Sequence, residues 1–168
     1  MKYILETERL KLRQFTFDDS KFIIELLNSE GWIKYIGERN VKNEEDAKNY
    51  LQNGTLKSYE QNGYGLWLVE TKENKIPIGM CGIIHRTELE NPDIGFAFLP
   101  DFTGKGFAFE IASATINFAK ERLKLPVILG ITVSYNVNSI QLLTKIGMRF
   151  IKTINLPDDP EELMLFSN

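Results

Sequence analysis

The 168-residue sequence contains only one cysteine, Cys81, and one histidine, His85. A single cysteine excludes an intramolecular disulfide. One cysteine and one histidine also fall short of the four ligands of a closed zinc site, so no metal centre is expected. On one strand the two residues would lie about 13 Å apart, at about 3.3 Å per residue, too far for His85 to activate the thiol. Cys81 is therefore expected to be a buried core residue.

Long apolar runs and an excess of positive charge are also absent. The longest apolar stretches are strand-sized, such as residues 127–131, so no membrane partner is expected. The formal net charge is −3, which predicts no basic surface for a nucleic-acid backbone. The first ten residues carry a charge every few positions, which argues against a secretory signal and predicts a cytoplasmic protein.

The composition that remains is that of one globular domain. Hydrophobic residues make up 43% of the chain and charged residues 26%. No repeat, low-complexity tract or linker interrupts the sequence, so residues 1–168 are expected to form a single domain.

The apolar periodicity predicts seven strands and four helices. A hairpin meander comes first, and a strand–helix alternation follows it, which indicates a mixed α/β fold with helices packed on a mostly antiparallel mixed sheet. The strands fall near residues 10–13, 65–69, 76–84, 93–99, 127–133, 150–154 and 162–166, and the helices begin near residues 20, 43, 107 and 136.

A glycine-rich turn joins a predicted strand to a predicted helix within residues 93–110, DIGFAFLPDFTGKGFAFE. The first N–H groups of a helix have no partner inside it and form an anion site. Gly104 and Gly106 would let the backbone approach a phosphate closely, and Lys105 adds a positive charge. A diphosphate-binding turn is one interpretation, and a purely structural turn is the other. The P-loop and dinucleotide patterns both fail here, because Gly106 follows Lys105 and Phe109 stands where a third glycine is needed.

A second polar pair lies at the next strand-to-helix junction. Asn136 and Ser139 are one helical turn apart, so both side chains can face one cleft. Helix capping alone would also explain them, because Asn and Ser are favoured at helix starts.

Three motifs in sequence order make the chain resemble a GNAT acetyltransferase. Within that superfamily it resembles the branch of ribosomal-protein alanine N-acetyltransferases. Residues 7–13, TERLKLR, match that branch's N-terminal strand signature. Residues 93–96 leading into 102–108 resemble its acetyl-CoA motif, and residues 136–148 resemble its next motif. The resemblance covers about residues 5–152, nearly the whole chain.

The resemblance implies a sheet splayed in the middle, with the pantetheine arm of acetyl-CoA in the gap between two strands. Backbone groups of one strand would pair with the arm, and Asn136 would bond it from the far side. Backbone N–H groups of the turn and the first helical turn would hold the pyrophosphate. The implied residues are Phe96, Ala97, Phe98 and Leu99 for the arm, and Gly104, Lys105, Gly106, Phe107, Ala108 and Phe109 for the pyrophosphate.

Three positions depart from the family pattern. Asp101 stands where the superfamily often has Arg or Gln, and Thr103 stands where this branch usually has an aromatic residue. Neither change removes a backbone N–H, so cofactor binding is expected to persist. Leu143 occupies the position of a tyrosine that acts as general acid in many GNAT enzymes, so the thiolate must be protonated in another way.

The predicted reaction needs a base, because most amines are protonated at neutral pH and only a neutral amine attacks a thioester. Asp93 is the first candidate, since the branch often has an acidic residue at this strand position. A solvated strand-end carboxylate is the alternative, and His85 and Glu88 are reserves. Glu110 also lies near the motif, but a carboxylate in the first turn of a helix stabilises the helix dipole without any role in catalysis.

Other roles follow from the same resemblance. Ser139 is the candidate for protonating the coenzyme A thiolate, with a capping or packing serine as the alternative. A backbone N–H near Phe98 would stabilise the oxyanion. Trp32 and Tyr35 would help line the acceptor site, unless they only cover the core.

The sequence thus predicts an acetyl-CoA-dependent N-acetyltransferase that acts on a primary amine by direct attack in a ternary complex. A peptide or protein N-terminus is the leading acceptor. A small-molecule amine (a polyamine, an amino acid or an antibiotic) and a non-catalytic acyl-CoA-sensing domain are the alternatives. Acceptor identity lies in loops that vary on a common scaffold. A homodimer is a further expectation, for which the sequence shows no interface pattern.

Overall fold

The computed structural model describes residues 3–168, so the first two residues of the expected domain lie outside the described part. Eight strands form one sheet in the order β1-β2-β3-β4-β5-β6-β8-β7. Strands β5 and β6 are parallel, and every other neighbouring pair is antiparallel. The strands are β1 Tyr3–Glu6, β2 Leu10–Arg13, β3 Leu66–Thr71, β4 Pro77–Ile84, β5 Asp93–Phe98, β6 Leu129–Val133, β7 Arg149–Asn155 and β8 Glu162–Ser167.

Six α-helices flank the sheet, and several begin or end where the sequence has a cap. Asn43 begins α3, because its side-chain oxygen accepts a hydrogen bond from Asp46 N at 2.9 Å. A π-helical segment, Gln52–Leu56, continues α3 into α4, which ends at the left-handed Gly63. None of the helices in residues 3–168 is long and apolar enough to cross a membrane. The helices are α1 Ser20–Leu27, α2 Glu30–Tyr35, α3 Glu44–Leu51, α4 Lys57–Asn62, α5 Phe107–Glu121 and α6 Val137–Lys145.

The predicted mixed α/β fold is confirmed, with one more strand and two more helices than the periodicity predicted. The additional strand is β1, and the additional helices are α2 and α4. Each of these helices has six residues, fewer than two turns, so neither shows a helical repeat in the sequence.

Two apolar cores lie on the two faces of the sheet, because adjacent strand residues point to opposite sides. Trp67 packs in the core beneath α5, together with Ile111 of that helix. Its neighbour Leu68 packs in the other core, with Leu26 of α1 and Leu51 of α3. The site lies where the sheet between these cores opens.

A buried ion network joins the first helices to the sheet. The Arg13 guanidinium donates to both carboxylate oxygens of Asp19, at 2.9 and 2.8 Å, and to Glu70 at 3.0 Å. All three residues are buried. Because each charge has a partner, the network fixes the start of α1 against β2 and β3.

Candidate functional site

Strands β5 and β6 separate almost as soon as they meet. Their register contains one pair, Asp93 with Leu129, and Leu129 N donates to Pro92 O at 2.8 Å. Beyond this point the two strands enclose a cavity of about 350 Å³, here called the central cavity. Its walls come from both faces of the sheet, with Trp32 and Tyr50 on one side and Asn136 and Ser139 on the other. The cavity therefore passes through the opening in the sheet.

The backbone of β5 is free on the side that faces this gap. Leu99 N donates to Ile78 O of β4 at 2.9 Å. Backbone groups alternate in direction along a strand, so the N–H groups of Phe96 and Phe98 point away from β4, toward the gap. Of the four residues predicted to pair with a cofactor arm, Phe96 and Phe98 present free N–H groups there. Ala97 and Leu99 direct theirs to β4.

The glycine-rich turn has a conformation suited to an anion. Gly104 and Gly106 have φ values of +71° and +79°, in the left-handed region that a side chain disfavours. Helix α5 begins directly after Gly106, and no side chain caps it. The N–H groups of Phe107, Ala108 and Phe109 in its first turn therefore have no intrahelical partner. Together with the exposed Lys105, they fit a diphosphate group.

Arg9 holds this turn in place, a role that the sequence did not reveal. Its Nε donates to Glu110 Oε2 at 2.6 Å, and its Nη1 donates to the carbonyl oxygen of Lys105 at 3.0 Å. The guanidinium lies 4.4 Å from the centroid of the Phe107 ring. Thr7 Oγ1 and Arg9 N both donate to Glu110 Oε1, at 2.6 and 2.8 Å. Glu110 thus links the N-terminal segment to α5.

Asp93 is the most unusual ionisable group of the central cavity. It is 1% exposed, and Arg86 Nε donates to its Oδ1 at 2.9 Å. Its other oxygen, Oδ2, is buried and has no hydrogen-bond partner within residues 3–168. Burial raises the pKa of Asp93 to about 6, and the nearby Arg86 limits that rise. A carboxylate with a free oxygen and a pKa near neutrality can accept a proton.

Asn136 and Ser139 lie together at the start of α6, as their spacing predicted. Asn136 Oδ1 accepts a hydrogen bond from Ser139 N at 3.2 Å, so Asn136 does cap the helix. Both residues line the central cavity. Ser139 Oγ has no partner in the described part of the chain, which leaves the hydroxyl free for a ligand.

Aromatic residues line the wall of the cavity formed by α2 and α3. Trp32 is buried, and its Nε1 lacks a partner among the described residues. Tyr35 packs against Tyr135, with ring centroids 6.0 Å apart. Tyr50 also lines the cavity, and burial raises the pKa of its phenol. The sequence pattern did not single out Tyr50, because an aromatic residue on an amphipathic helix is usually a core residue.

The structure places the other candidates outside the central cavity. His85 lines a separate groove, and Glu88 lines an adjoining chamber. Cys81 is fully buried, its Sγ lies 3.4 Å from Thr115 Oγ1, and burial raises the pKa of its thiol to about 12. Leu143 is a core residue, and a Cβ on Gly130 would come within 2.7 Å of its Cδ2. Position 143 thus lies in the core and does not line the central cavity.

Comparison with known proteins agrees with this geometry. A profile of the acetyltransferase (GNAT) domain family matches residues 9–149. The uncharacterized N-acetyltransferase YoaA of Bacillus subtilis is 29% identical over 147 residues, which are 87% of this chain and 82% of YoaA. An acetyltransferase (GNAT family) from Bacillus anthracis superposes with a TM-score of 0.81 at 25% identity, over 99% of this chain and 98% of that one.

A ribosomal-protein acetyltransferase has the same fold. RimL, a ribosomal L7/L12 α-N-protein acetyltransferase in complex with coenzyme A, superposes with a TM-score of 0.83 at 15% identity, over 99% of this chain and 97% of RimL. At this identity the likeness shows a shared fold. The family match covers most of the chain and includes the turn, the split strands and the start of α6. The chain therefore belongs to the GNAT acetyltransferases, enzymes that take their acetyl group from acetyl-CoA.

Proposed function

We propose that the protein transfers the acetyl group of acetyl-CoA to a primary amine, with a peptide or protein N-terminus as the leading acceptor. One observation carries the proposal. Asp93, whose Oδ2 has no hydrogen-bond partner within residues 3–168, lines the same cavity as the open edge of β5 and Ser139. A base, an acyl-donor site and a hydroxyl group for the leaving sulfur thus share one space.

The donor is assigned to the side of the cavity that leads to α5. The turn at Gly104 to Gly106 and the first N–H groups of α5 bind the diphosphate. The N–H of Phe98 pairs with the pantetheine arm, and the Asn136 amide contacts the arm from α6. Acetyl-CoA supplies the acetyl group as a thioester.

Asp93 acts as the base in this proposal. Its Oδ2 accepts the proton from the attacking amine as the nitrogen–carbon bond forms. Because the pKa of Asp93 is about 6, the carboxylate is mostly ionised at neutral pH and ready to accept that proton. The negative charge that develops on the acetyl oxygen is assigned to the N–H of Phe96, because Phe96 lines the cavity with Asp93. Phe98 lies about 16 Å from Asp93 along the strand, at about 3.3 Å per residue, which is too far to contact the same carbon.

Ser139 is assigned to the leaving group, the coenzyme A thiolate. Its hydroxyl donates to the sulfur as the carbon–sulfur bond breaks, which takes the place of the tyrosine absent at position 143. Trp32 and Tyr35 line the acceptor wall, and Tyr50 joins them there.

The size of the opening supports a peptide acceptor. The central cavity shares lining residues with a chamber of about 510 Å³ and with a groove of about 800 Å³. A chain that continues beyond the reacting amine has space in either direction. Residues 1–168 are taken as one catalytic domain of a cytoplasmic protein, and a homodimer stays a prediction.

The test is thiol release from acetyl-CoA with N-terminal peptides, polyamines and aminoglycosides as acceptors. We expect acceptor-dependent release, with peptides the best substrates. The Asp93→Asn variant should lower kcat/KM by a factor of about 10² to 10⁴, the usual contribution of a general base. Asp18→Asn is the matched control, because Asp18 is exposed and lies outside the cavity. Acetyl-CoA binding without release for any acceptor would instead favour a sensing domain.

A further inference from the structure

Three buried side-chain polar atoms within residues 3–168 have no hydrogen-bond partner: Trp32 Nε1, Trp67 Nε1 and Asp93 Oδ2. Buried polar atoms nearly always have a partner, so each of the three calls for an explanation. Trp32 and Asp93 both line the central cavity. Trp67 lines none of the cavities described above and packs in the core beneath α5, with its ring at 90° to that of Phe118. The unpaired atoms of Trp32 and Asp93 therefore point to a ligand in the central cavity.

Trp32 is held in place by packing and by its backbone. Its side chain is 6% exposed and belongs to the core formed with α1 and α3. Its carbonyl oxygen accepts hydrogen bonds from Ile36 N at 2.8 Å and Gly37 N at 3.0 Å, where α2 ends. Because the ring is held inside the protein, bulk water does not serve as a partner for its N–H.

The two unpaired atoms differ in their chemistry. An indole N–H can only donate a hydrogen bond, whereas an ionised carboxylate can only accept one. A ligand that satisfies both must offer an acceptor and a donor close together. The cavity volume of about 350 Å³ is at the small end of the range for ligand pockets, so one small group can contact both residues.

The N-terminal residue of a peptide has this pair of groups. Its amine is the donor, and its carbonyl group is attached to the carbon that carries the amine. A linear diamine lacks the acceptor, because its second amine is protonated at neutral pH and can only donate. A diamine would therefore leave the Trp32 N–H unpaired.

We propose that Trp32 selects the acceptor by donating its indole N–H to the carbonyl oxygen next to the reacting amine. The inference rests on the proposed function and specifies its substrate class as α-amino carbonyl compounds, which include peptide and protein N-termini. The amine lies at Asp93 Oδ2, and the carbonyl oxygen lies at Trp32 Nε1. Amines without this oxygen are poor acceptors, because a site built to hydrogen-bond a substrate rejects an analogue that leaves its polar group unpaired.

The test uses two acceptors that differ only in the first peptide bond. One is a short peptide, and the other is its alkene isostere, which keeps the shape and the amine but lacks the carbonyl oxygen. Trp32→Phe keeps an aromatic ring and removes the N–H. We expect this variant to lower kcat/KM about tenfold for the peptide and less than about twofold for the isostere. The double comparison cancels any difference in basicity between the two amines.

Trp67→Phe is the matched control. It removes the other unpaired indole N–H, which lies in the core beneath α5 and outside the cavities. Any loss of stability in this variant should lower kcat/KM for both acceptors by the same factor.

Tryptophan NMR gives a readout that does not depend on turnover. The chain has two tryptophans, so isotope-labelled protein gives two indole N–H signals, and Trp32→Phe identifies one of them. With coenzyme A present, the peptide should shift the Trp32 signal downfield by more than the isostere does. The Trp67 signal should stay in place with both acceptors.

Equal losses of kcat/KM for the two acceptors in Trp32→Phe, or a Trp32 signal that does not respond to the peptide, would overturn the inference. Acetylation of diamines in preference to peptides would also overturn it, and would leave acetyl transfer itself standing. A Trp32 signal that the peptide shifts without any acetyl transfer would instead overturn the proposed function and leave the assignment of Trp32 standing.

Discussion

The proposed donor side and the proposed acceptor side of the central cavity differ in how their charged side chains are paired. On the donor side, Arg9 is bound to Glu110 and to the carbonyl oxygen of Lys105, and it stacks on Phe107. On the acceptor side, Asp93 Oδ2 is buried and has no hydrogen-bond partner within the described chain. The charged side chains of the donor side are therefore paired, and its open groups are backbone N–H groups, whereas Asp93 on the acceptor side has an unpaired carboxylate oxygen.

This difference matches what each side must recognise. Acetyl-CoA is the same for every member of the family, so a rigid turn can be formed in advance to receive it. The acceptor varies between members, and its site is assembled from α2, α3 and two loops. Three changes test whether the two sides are as separate as this comparison states.

The largest expected effect concerns the acceptor side and is a dependence of stability on pH. The pKa of Asp93 in the folded protein, about 6, lies above the ordinary value of 3.8. The folded state therefore binds the proton more tightly, and the resulting stability is lost as pH rises from about 4 to about 6. Two pKa units correspond to about 3 kcal/mol.

Urea unfolding of the wild type and of Asp93→Asn at about pH 4 and pH 7 measures this effect. The Asn variant cannot ionise at position 93, so its free energy of unfolding relative to that of the wild type should increase by about 2 kcal/mol between the two pH values. The full 3 kcal/mol is not reached, because the carboxyl group of the unfolded chain is already about half ionised at pH 4. A difference that does not change with pH would mean that Asp93 ionises as freely in the folded protein as in the unfolded chain.

The second effect concerns the donor side alone. Gly106 has a φ of +79°, and an alanine there would cost about 1 to 2 kcal/mol in the left-handed conformation. We expect Gly106→Ala to weaken acetyl-CoA binding about tenfold while kcat at saturating acetyl-CoA stays near that of the wild type. Gly31→Ala is the control, because a Cβ there meets no atom within 4 Å and the residue is helical. A lowered kcat with unchanged acetyl-CoA affinity would show that the turn serves the chemistry instead.

The smallest effect is that of Arg9, which acts on the cofactor through the turn. The Arg9 side chain is 44% exposed, so solvent screens its ion pair with Glu110. Arg9→Ala should raise the KM for acetyl-CoA about fivefold, in line with a modest exposed interaction. The KM for acetyl-pantetheine, which lacks the diphosphate, should not change. Arg122→Ala provides an exposed arginine control. Equal losses with both donors would mean that Arg9 supports the fold in general.

The same comparison explains what the sequence could predict. Gly104 and Gly106 predict the turn, because the backbone conformation of a turn depends on only a few neighbouring residues. Asp93 was predicted because the branch that the motifs resemble often has an acidic residue at this strand position. The pairing of Arg9 with Glu110 joins residues 101 positions apart, and no pattern in either segment indicates it.

The contacts of the acceptor side could not be predicted either, because they also join residues that only the fold brings together. Arg86 meets Asp93 only because β4 and β5 form a hairpin that brings residues seven positions apart together. Tyr50 lines the cavity from a helix whose apolar spacing predicts only burial. Asp158, Asp159 and Glu161 lie in the connection before β8, where charged loop residues usually indicate only solvent exposure.

The central claim is that Asp93 carries out the chemistry while the turn at Gly106 holds the donor. Its most direct test measures two quantities, the Kd for acetyl-CoA and kcat at saturating acetyl-CoA, for Asp93→Asn and Gly106→Ala side by side. We predict that Asp93→Asn binds acetyl-CoA like the wild type and loses turnover, and that Gly106→Ala shows the opposite pattern. Full turnover by Asp93→Asn would contradict the account, because another group would then be accepting the proton.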